Sequence, residues 1–186
     1  MKVFNTLDEI RDNEPCTLAL GNFDGVHKGH QALIGKAVKT AQKLGIKSAV
    51  FTFSNHPKSM IGGGKEFKNI AYSEEKEALI EAMGVDYIFN IEFNEKIMTM
   101  APTEFIEKLL VEKFKAAEVF CGFNYRFGYK AGGNVTLLRK EGKRIGFKVN
   151  VIEPVTIDGE VVSSTLIRSL IKSGEVDECQ ISREKL

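Results

Sequence analysis

Cysteine is scarce and irregular in this sequence: Cys16, Cys121 and Cys179 are odd in number, far apart and without a CxxC pair. That spacing excludes the regular disulfide framework of a small secreted domain and the ligand pairs of a zinc site. Cys16 and Cys121 are instead expected to be buried strand residues. No uninterrupted apolar run approaches the roughly 20 residues that cross a bilayer. Residues 1–13 lack the basic start, apolar middle and small-residue cleavage site of a secretory signal. A soluble, cytoplasmic protein with no membrane partner is the expectation. Charge of one sign is missing too. The formal net charge is +1, whereas a nucleic-acid surface is usually strongly basic, with Lys and Arg on one face. No nucleic-acid partner is expected, and any anion must be held by local groups. Internal repeats, low-complexity tracts and Pro/Ser-rich linkers are absent. Nothing marks an internal boundary, so residues 1–186 are read as one domain with one active site. No feature points to a protein partner.

What the sequence does have is alternation of strand and helix patterns. Residues 16–20 form an apolar run that stops at Gly21. Residues 31–44 then carry a helical stripe of Leu33, Ile34, Ala37, Val38 and Ala41 that stops at Gly45. Residues 48–53 are β-rich and lead to Asn55, His56 and Pro57, where the proline ends regular structure. Gly62, Gly63 and Gly64 read as a mobile loop. Ser73 is placed as the cap of a helix that runs to Met83, with Lys76 among its exposed charges. Strands are expected at 86–91, 117–121 and 147–152, and helices at 103–114 and 135–141. Residues 155–162 read as a hairpin turning at Asp158 and Gly159, residues 163–172 as a closing helix, and residues 178–186 as a frayed tail. The fold class is α/β, a mainly parallel sheet covered by helices on both faces, with a small hairpin/loop subregion.

In such a sheet ligands bind beyond the carboxyl ends of the strands, where loops and helix N-termini converge. Three polar, glycine-bearing segments, 21–30, 122–133 and 163–168, follow expected strands and should share one crevice. The first contains HxGH, from His27 to His30, between a strand and a helix. Histidines three residues apart lie on one helix face, Gly29 removes a side chain where a nucleotide could approach, and the helix start offers unpaired N–H groups for phosphate. Imidazolium or hydrogen-bonding imidazole placed there can stabilise charge that develops as pyrophosphate leaves. Two such histidines could equally be metal ligands or surface residues, but a third ligand of suitable spacing is missing. Ser163, Ser164 and Thr165 alone would read as an N-cap; Arg168, pointing back over the first turn, adds a phosphate-binding character. Phe53, Phe123 and Tyr125 are among the aromatics that could stack on a flat ring, although alternate aromatics in strands are more often core.

Taken in order, GNFDGVHKGH, FTFSNHP, GFNYRFGYKAGGN and VSSTLIRS resemble the N-terminal adenylyltransferase module of prokaryotic bifunctional riboflavin kinase/FAD synthetases over nearly the whole chain. The resemblance implies a Rossmann-like HxGH nucleotidyltransferase fold that joins the AMP part of ATP to the phosphate of FMN. The products are FAD and pyrophosphate, and Mg2+ accompanies ATP. It implies catalytic roles for His27, His30 and Arg168. Gly21, Phe23, Asp24, Gly29, Arg126, Ser163, Ser164 and Thr165 fall on the ATP side. Phe53, Asn55, His56, Pro57, Phe123, Asn124 and Tyr125 fall on the flavin side. Gly128, Gly132 and Gly133 would let their loop pass close to the nucleotide or the flavin phosphate. HxGH is shared by a wider superfamily and gives only the reaction class, while the RFG and SSTxIR segments together point to FMN. This sequence has Asn55 where members more often have Pro, and Asn124 and Tyr125 where many have Asp and Phe. The signature of the family's C-terminal kinase barrel has no counterpart, so no kinase activity is expected. The competing readings are a related transferase with another phosphorylated acceptor and a non-catalytic flavin or nucleotide binder.

Overall fold

A computed structural model describes residues 1–11, 13–61 and 69–174. Within them lie strands β1 (Lys2–Phe4), β2 (Cys16–Leu20), β3 (Lys47–Phe53), β4 (Tyr87–Ile91), β5 (Ala116–Gly122), β6 (Arg126–Phe127), β7 (Gly133–Asn134), β8 (Lys148–Ile152), β9 (Thr156–Ile157) and β10 (Glu160–Val161). The helices are α1 (Lys28–Leu44), α2 (Pro57–Ile61), α3 (Ser73–Ala82), α4 (Glu95–Met98), α5 (Pro102–Glu104), which continues as a π-helix over Phe105–Lys113, α6 (Val135–Ile145) and α7 (Ser164–Ser173).

Six strands pair in the order β1-β4-β3-β2-β5-β8, all parallel. β2 is buried at every residue, as expected of a central strand covered on both faces. Ala19, Val50, Ile88 and Phe120 face Leu33, Ile34, Ala37 and Val38 of α1 and Ile80 of α3. Leu18, Leu20, Phe51 and Phe89 face Phe105, Ile106, Leu109 and Leu110 of the π-helix and Leu138 of α6. Ile34 is fully enclosed, and cutting it to alanine would cost about 2–5 kcal/mol. The sheet winds outward from β2 through β3 to β4 on one side and from β5 to β8 on the other. The reversal falls between β2 and β5, so the loops that leave their carboxyl ends emerge side by side.

Several boundaries differ from the sequence reading for local reasons. α1 starts at Lys28 rather than Gln31, because His27 is extended and its own side chain caps the first turn. Pro57 does not end regular structure; it is the first residue of α2, where a missing N–H costs nothing. Ser73 is the first helical residue of α3 and Tyr72 holds the cap position. The expected helix at 103–114 is largely a π-helix, closed by Phe114 N–H donating to Leu109 O at 2.8 Å, five residues back. α6 runs on to Ile145 and stops at Gly146, whose φ of 108° suits glycine. The hairpin forms as expected, with Asp158 and Gly159 both at positive φ between β9 and β10. Cys16 and Cys121 are buried strand residues. The glycines at 62–64, Cys179 and the tail at 178–186 lie outside the described residues. Among the described residues no helix is long and apolar enough to cross a membrane.

Candidate active site

The loop after β2 is tightly constrained. Gly21 lies under the ring of Phe23, so a Cβ there would sit 3.0 Å from that ring. Phe23 is buried at φ 48° and Val26 at φ 38°, both conformations that non-glycine residues seldom adopt. Gly25 has φ 78°, and a Cβ on it would meet Ile70 Cγ2 at 2.7 Å. This loop delivers His27 to the N-cap of α1, where its Nδ1 accepts from the His30 backbone N–H at 3.4 Å. The His27 and His30 rings stack with centroids 3.6 Å apart, and Phe23 meets His30 edge-on at 5.2 Å.

Both imidazoles are held neutral. Burial lowers the His27 pKa to about 4, against the opposing pull of Asp24. Burial, and then the neighbouring His27, depress His30 well below the ordinary histidine value. In the ligand-free protein the pair is therefore hydrogen-bonding imidazole at neutral pH. His30 Nδ1 is enclosed without a hydrogen-bond partner among the described residues. Glycine at 29 serves internal packing: a Cβ would lie 3.2 Å from His27 Cε1 and 3.6 Å from the Val162 carbonyl oxygen.

Asp24 joins the loop after β2 to α7. It is only 6% exposed. Its Oδ1 accepts from Ile70 N–H at 2.8 Å and Ala71 N–H at 3.3 Å, and its Oδ2 pairs with Arg168 Nη2. Its carbonyl oxygen accepts from the Ser164 hydroxyl at 3.2 Å. Ser163 caps α7 through Oγ, which accepts from Leu166 N–H at 3.2 Å, and Thr165 is exposed. Arg168 also donates to Ser164 O, one turn back in α7. The starts of α1 and α7 thus converge on one acidic residue.

Beside Asp24 opens a small polar cleft with about 20 Å³ of room, whose lining includes Asn22, Phe53, Asn55, His56, Pro57 and Lys76. Asn55 joins the ends of β3 and β4 by accepting from Phe93 N–H at 2.7 Å and donating to Phe93 O at 3.0 Å. Phe53 packs edge-on between Phe51 and Phe93. His56 Nδ1 accepts from Lys58 N–H, and burial lowers its pKa to about 4. Lys76 corrects the expectation of an exposed charge. It is 6% exposed, and its ammonium donates to Phe53 O at 2.7 Å and Thr52 Oγ1 at 3.3 Å. Burial lowers its pKa to about 8, opposed by Asp24 and Glu77. The signal was its spacing: Lys76 lies one helical turn from the core residue Ile80, on the buried stripe of α3.

The segment after β5 reaches the same end of the sheet through the β2–β5 pairing, but its contacts turn elsewhere. Tyr125 stacks on Phe127 at 5.7 Å, and Phe127 packs on Phe105 at 5.2 Å. Burial raises the Tyr125 hydroxyl far above its ordinary pKa. The glycines there accommodate protein: Cβ atoms would meet Pro102 Cα at 2.8 Å from Gly128, Tyr129 O at 3.2 Å from Gly132 and the Phe127 ring at 2.6 Å from Gly133. Phe123, Asn124 and Arg126 are exposed. Among the described residues no hydrogen bond or ion pair joins those three to residues 21–30 or α7. Two of the three expected segments meet directly, and the third borders them through the sheet. Chemically the arrangement offers two helix N-termini, two neutral imidazoles and an arginine around one point, next to a cleft with a polar wall.

A protein-family model described as FAD synthetase matches residues 9–166. The chain is similar to bifunctional riboflavin kinase/FMN adenylyltransferases from three bacteria. For that of Listeria monocytogenes serovar 1/2a the identity is 35% over 176 residues, covering 93% of this chain and 54% of the relative. The Bacillus subtilis protein is 33% identical over 162 residues, with 86% and 50% covered. The Escherichia coli K12 protein is 30% identical over 158 residues, with 85% and 50% covered. The chain spans about half the length of the curated relatives it matches. A solved structure described as a macrolide-efflux protein from Streptococcus pneumoniae superimposes with a TM-score of 0.80 at 26% identity, covering 96% of this chain and 59% of that one.

Proposed function

The chain belongs to the FAD synthetase family, and from that premise we propose that it transfers AMP from ATP to the phosphate of FMN, giving FAD and pyrophosphate. The observation that carries this reading is the stacked, neutral His27–His30 pair at the start of α1, joined through Asp24 to the start of α7. In the reaction an FMN phosphate oxygen attacks the α-phosphorus of ATP and forms the new phosphoanhydride bond. The bond from the α-phosphorus to the bridging oxygen breaks, and pyrophosphate leaves with the electron pair. Charge grows on the leaving phosphates, where imidazole N–H groups and unpaired helix-start N–H groups stabilise it. No protein nucleophile is needed.

On this reading Gly21, Phe23, Asp24 and Gly29 shape the loop that carries the histidines, and Ser163, Ser164 and Thr165 present the start of α7 to the triphosphate. Arg168 moves from Asp24 to the leaving pyrophosphate. Arg126 and Asn124, exposed on the bordering segment, approach the phosphates from the β5 side. The flavin sits at the mouth of the cleft lined by Phe53, Asn55, His56 and Pro57, with the exposed Phe123 available to stack on the ring and Tyr125, packed on Phe127, on the same bordering segment. Magnesium is the proposed companion of ATP. Among the described residues no cluster of three or more His, Cys, Asp or Glu side chains could cage it, so the ion would be carried by phosphates and water. A cytoplasmic setting, where ATP is supplied, suits the chemistry. The test is chromatographic separation of FMN and FAD after incubation with MgATP: FAD and pyrophosphate in equal amounts support the reading, and adenylylation of a different phosphorylated acceptor in place of FMN refutes it.

A further inference from the structure

Lys76 is buried, and among the described residues no carboxylate is bound to its ammonium. Two of its three N–H groups are used, by Phe53 O and Thr52 Oγ1, and Thr52 Oγ1 in turn donates to Asn22 O. Asp24 and Glu77 influence Lys76 through space, but each is committed elsewhere. The Asp24 carboxylate holds Arg168 and two backbone N–H groups, and Glu77 Oε1 accepts from Asn90 Nδ2 at 2.6 Å. A buried charge without a bound counter-ion costs several kcal/mol. Such a cost is retained where an anion arrives to offset it.

Lys76 lines the cleft beside Asp24. Among the described lining residues it is the one cationic side chain at neutral pH, because burial leaves His56 uncharged there. Its ammonium is also fixed. Phe53 O and Thr52 Oγ1 hold it at the carboxyl end of β3, and β3 is the strand next to β2, from which the histidine loop leaves. We propose that Lys76 binds the phosphate of the acceptor and so makes this cleft select a phosphorylated flavin over the corresponding alcohol. This rests on the adenylyl-transfer reading above: the group that must attack the α-phosphorus is that same phosphate, and a fixed cation lining the cleft both recognises and aims it.

The test is the ratio of riboflavin to FMN dissociation constants, measured by quenching of flavin fluorescence on the intact chain. Wild type is expected to bind FMN about 10- to 100-fold more tightly than riboflavin, the range of one hydrogen bond to a charged group. Lys76→Met should bring the ratio close to one while riboflavin affinity changes less than about twofold. Lys76→Gln, which keeps a neutral donor for Phe53 O, should do the same, and Lys76→Arg should keep most of the preference. In turnover, Lys76→Gln should raise KM for FMN and leave KM for ATP unchanged. A purely structural lysine would weaken both flavins alike, and that result overturns the proposal. Wild type that does not prefer FMN overturns it without any variant. Wild type that prefers FMN yet forms no FAD refutes the transfer reading and leaves the phosphate site standing.

Discussion

Asp24 and Arg168, 144 residues apart, form a carboxylate–guanidinium pair that ties the loop after β2 to the last described helix. Asp24 also holds the backbone at residues 70 and 71, so one side chain fixes three segments around the site. Replacing it with alanine leaves Arg168 and two backbone N–H groups without it. Asp24→Ala should cost about 3–5 kcal/mol, the range for breaking a buried pair from one side. Asp24→Ala with Arg168→Ala should cost less than the two single losses added together. Urea unfolding of the four proteins measures both; strict additivity would show that the pair is not coupled.

His27 and His30 are proposed to act on charge that exists only as pyrophosphate leaves. His27→Ala and His30→Ala should each lower kcat by about 10²–10³, by analogy with loss of one oxyanion donor, while FMN affinity stays near wild type. Steady-state kinetics and flavin binding on the same preparations give the comparison. Turnover close to wild type in both variants would remove the imidazoles from the mechanism.

The same two histidines make stability depend on acid in a defined direction. Their folded pKa values are lowered, His27 to about 4. In the unfolded chain they titrate near the ordinary value of about 6.5. Above that pH both states are neutral and the full stability is present. As pH falls toward 4 the unfolded chain gains protons that the fold does not. Stability should drop by up to about 1.4 kcal/mol per pH unit for each such proton. Urea midpoints at pH 7, 6 and 5 should fall steadily, and less steeply in His27→Ala. Equal slopes in the two proteins would mean that His27 is not held neutral.

Gly25 tests whether the strained loop is what positions the histidines. At φ 78°, with Ile70 Cγ2 2.7 Å from a would-be Cβ, Gly25→Ala must strain the backbone and displace residue 70. A cost of about 1–3 kcal/mol is expected from the backbone alone. FAD formation should fall as well, because Ile70 N–H is one of the groups bound by Asp24. Gly35→Ala is the control: it has open space around its Cβ and lies within α1, so it should be neutral or stabilising. Equal effects at the two positions would show that the strained loop does not position the histidines.

The architecture was legible because burial periodicity and local turn chemistry agree in this chain. The five-residue apolar run at β2 and the stripe of α1 read directly from the sequence, as did Asp158 and Gly159 in their hairpin. Boundaries failed where an unusual residue took a local role. A histidine caps α1, and a proline opens α2 where it was read as a stop. Charge suggests an exposed Lys76, whereas its place on the Ile80 stripe points inward, and its partners are main-chain and hydroxyl oxygens on β3, distant in sequence. The family resemblance gives Gly128, Gly132 and Gly133 a place close to a ligand, and each is also crowded by protein. Their neighbours, Pro102 and Phe127, belong to contacts that no local pattern announces.

Adenylyl transfer to a phosphorylated flavin is tested by product analysis with each flavin in turn. The purified chain is incubated with MgATP and either FMN or riboflavin, and riboflavin, FMN, FAD and pyrophosphate are separated and quantified. FAD and pyrophosphate in equal amounts are expected from FMN, and no dinucleotide from riboflavin, which lacks the attacking phosphate oxygen. Absence of FAD from FMN, with AMP transferred instead to another phosphorylated compound, would contradict adenylyl transfer to FMN.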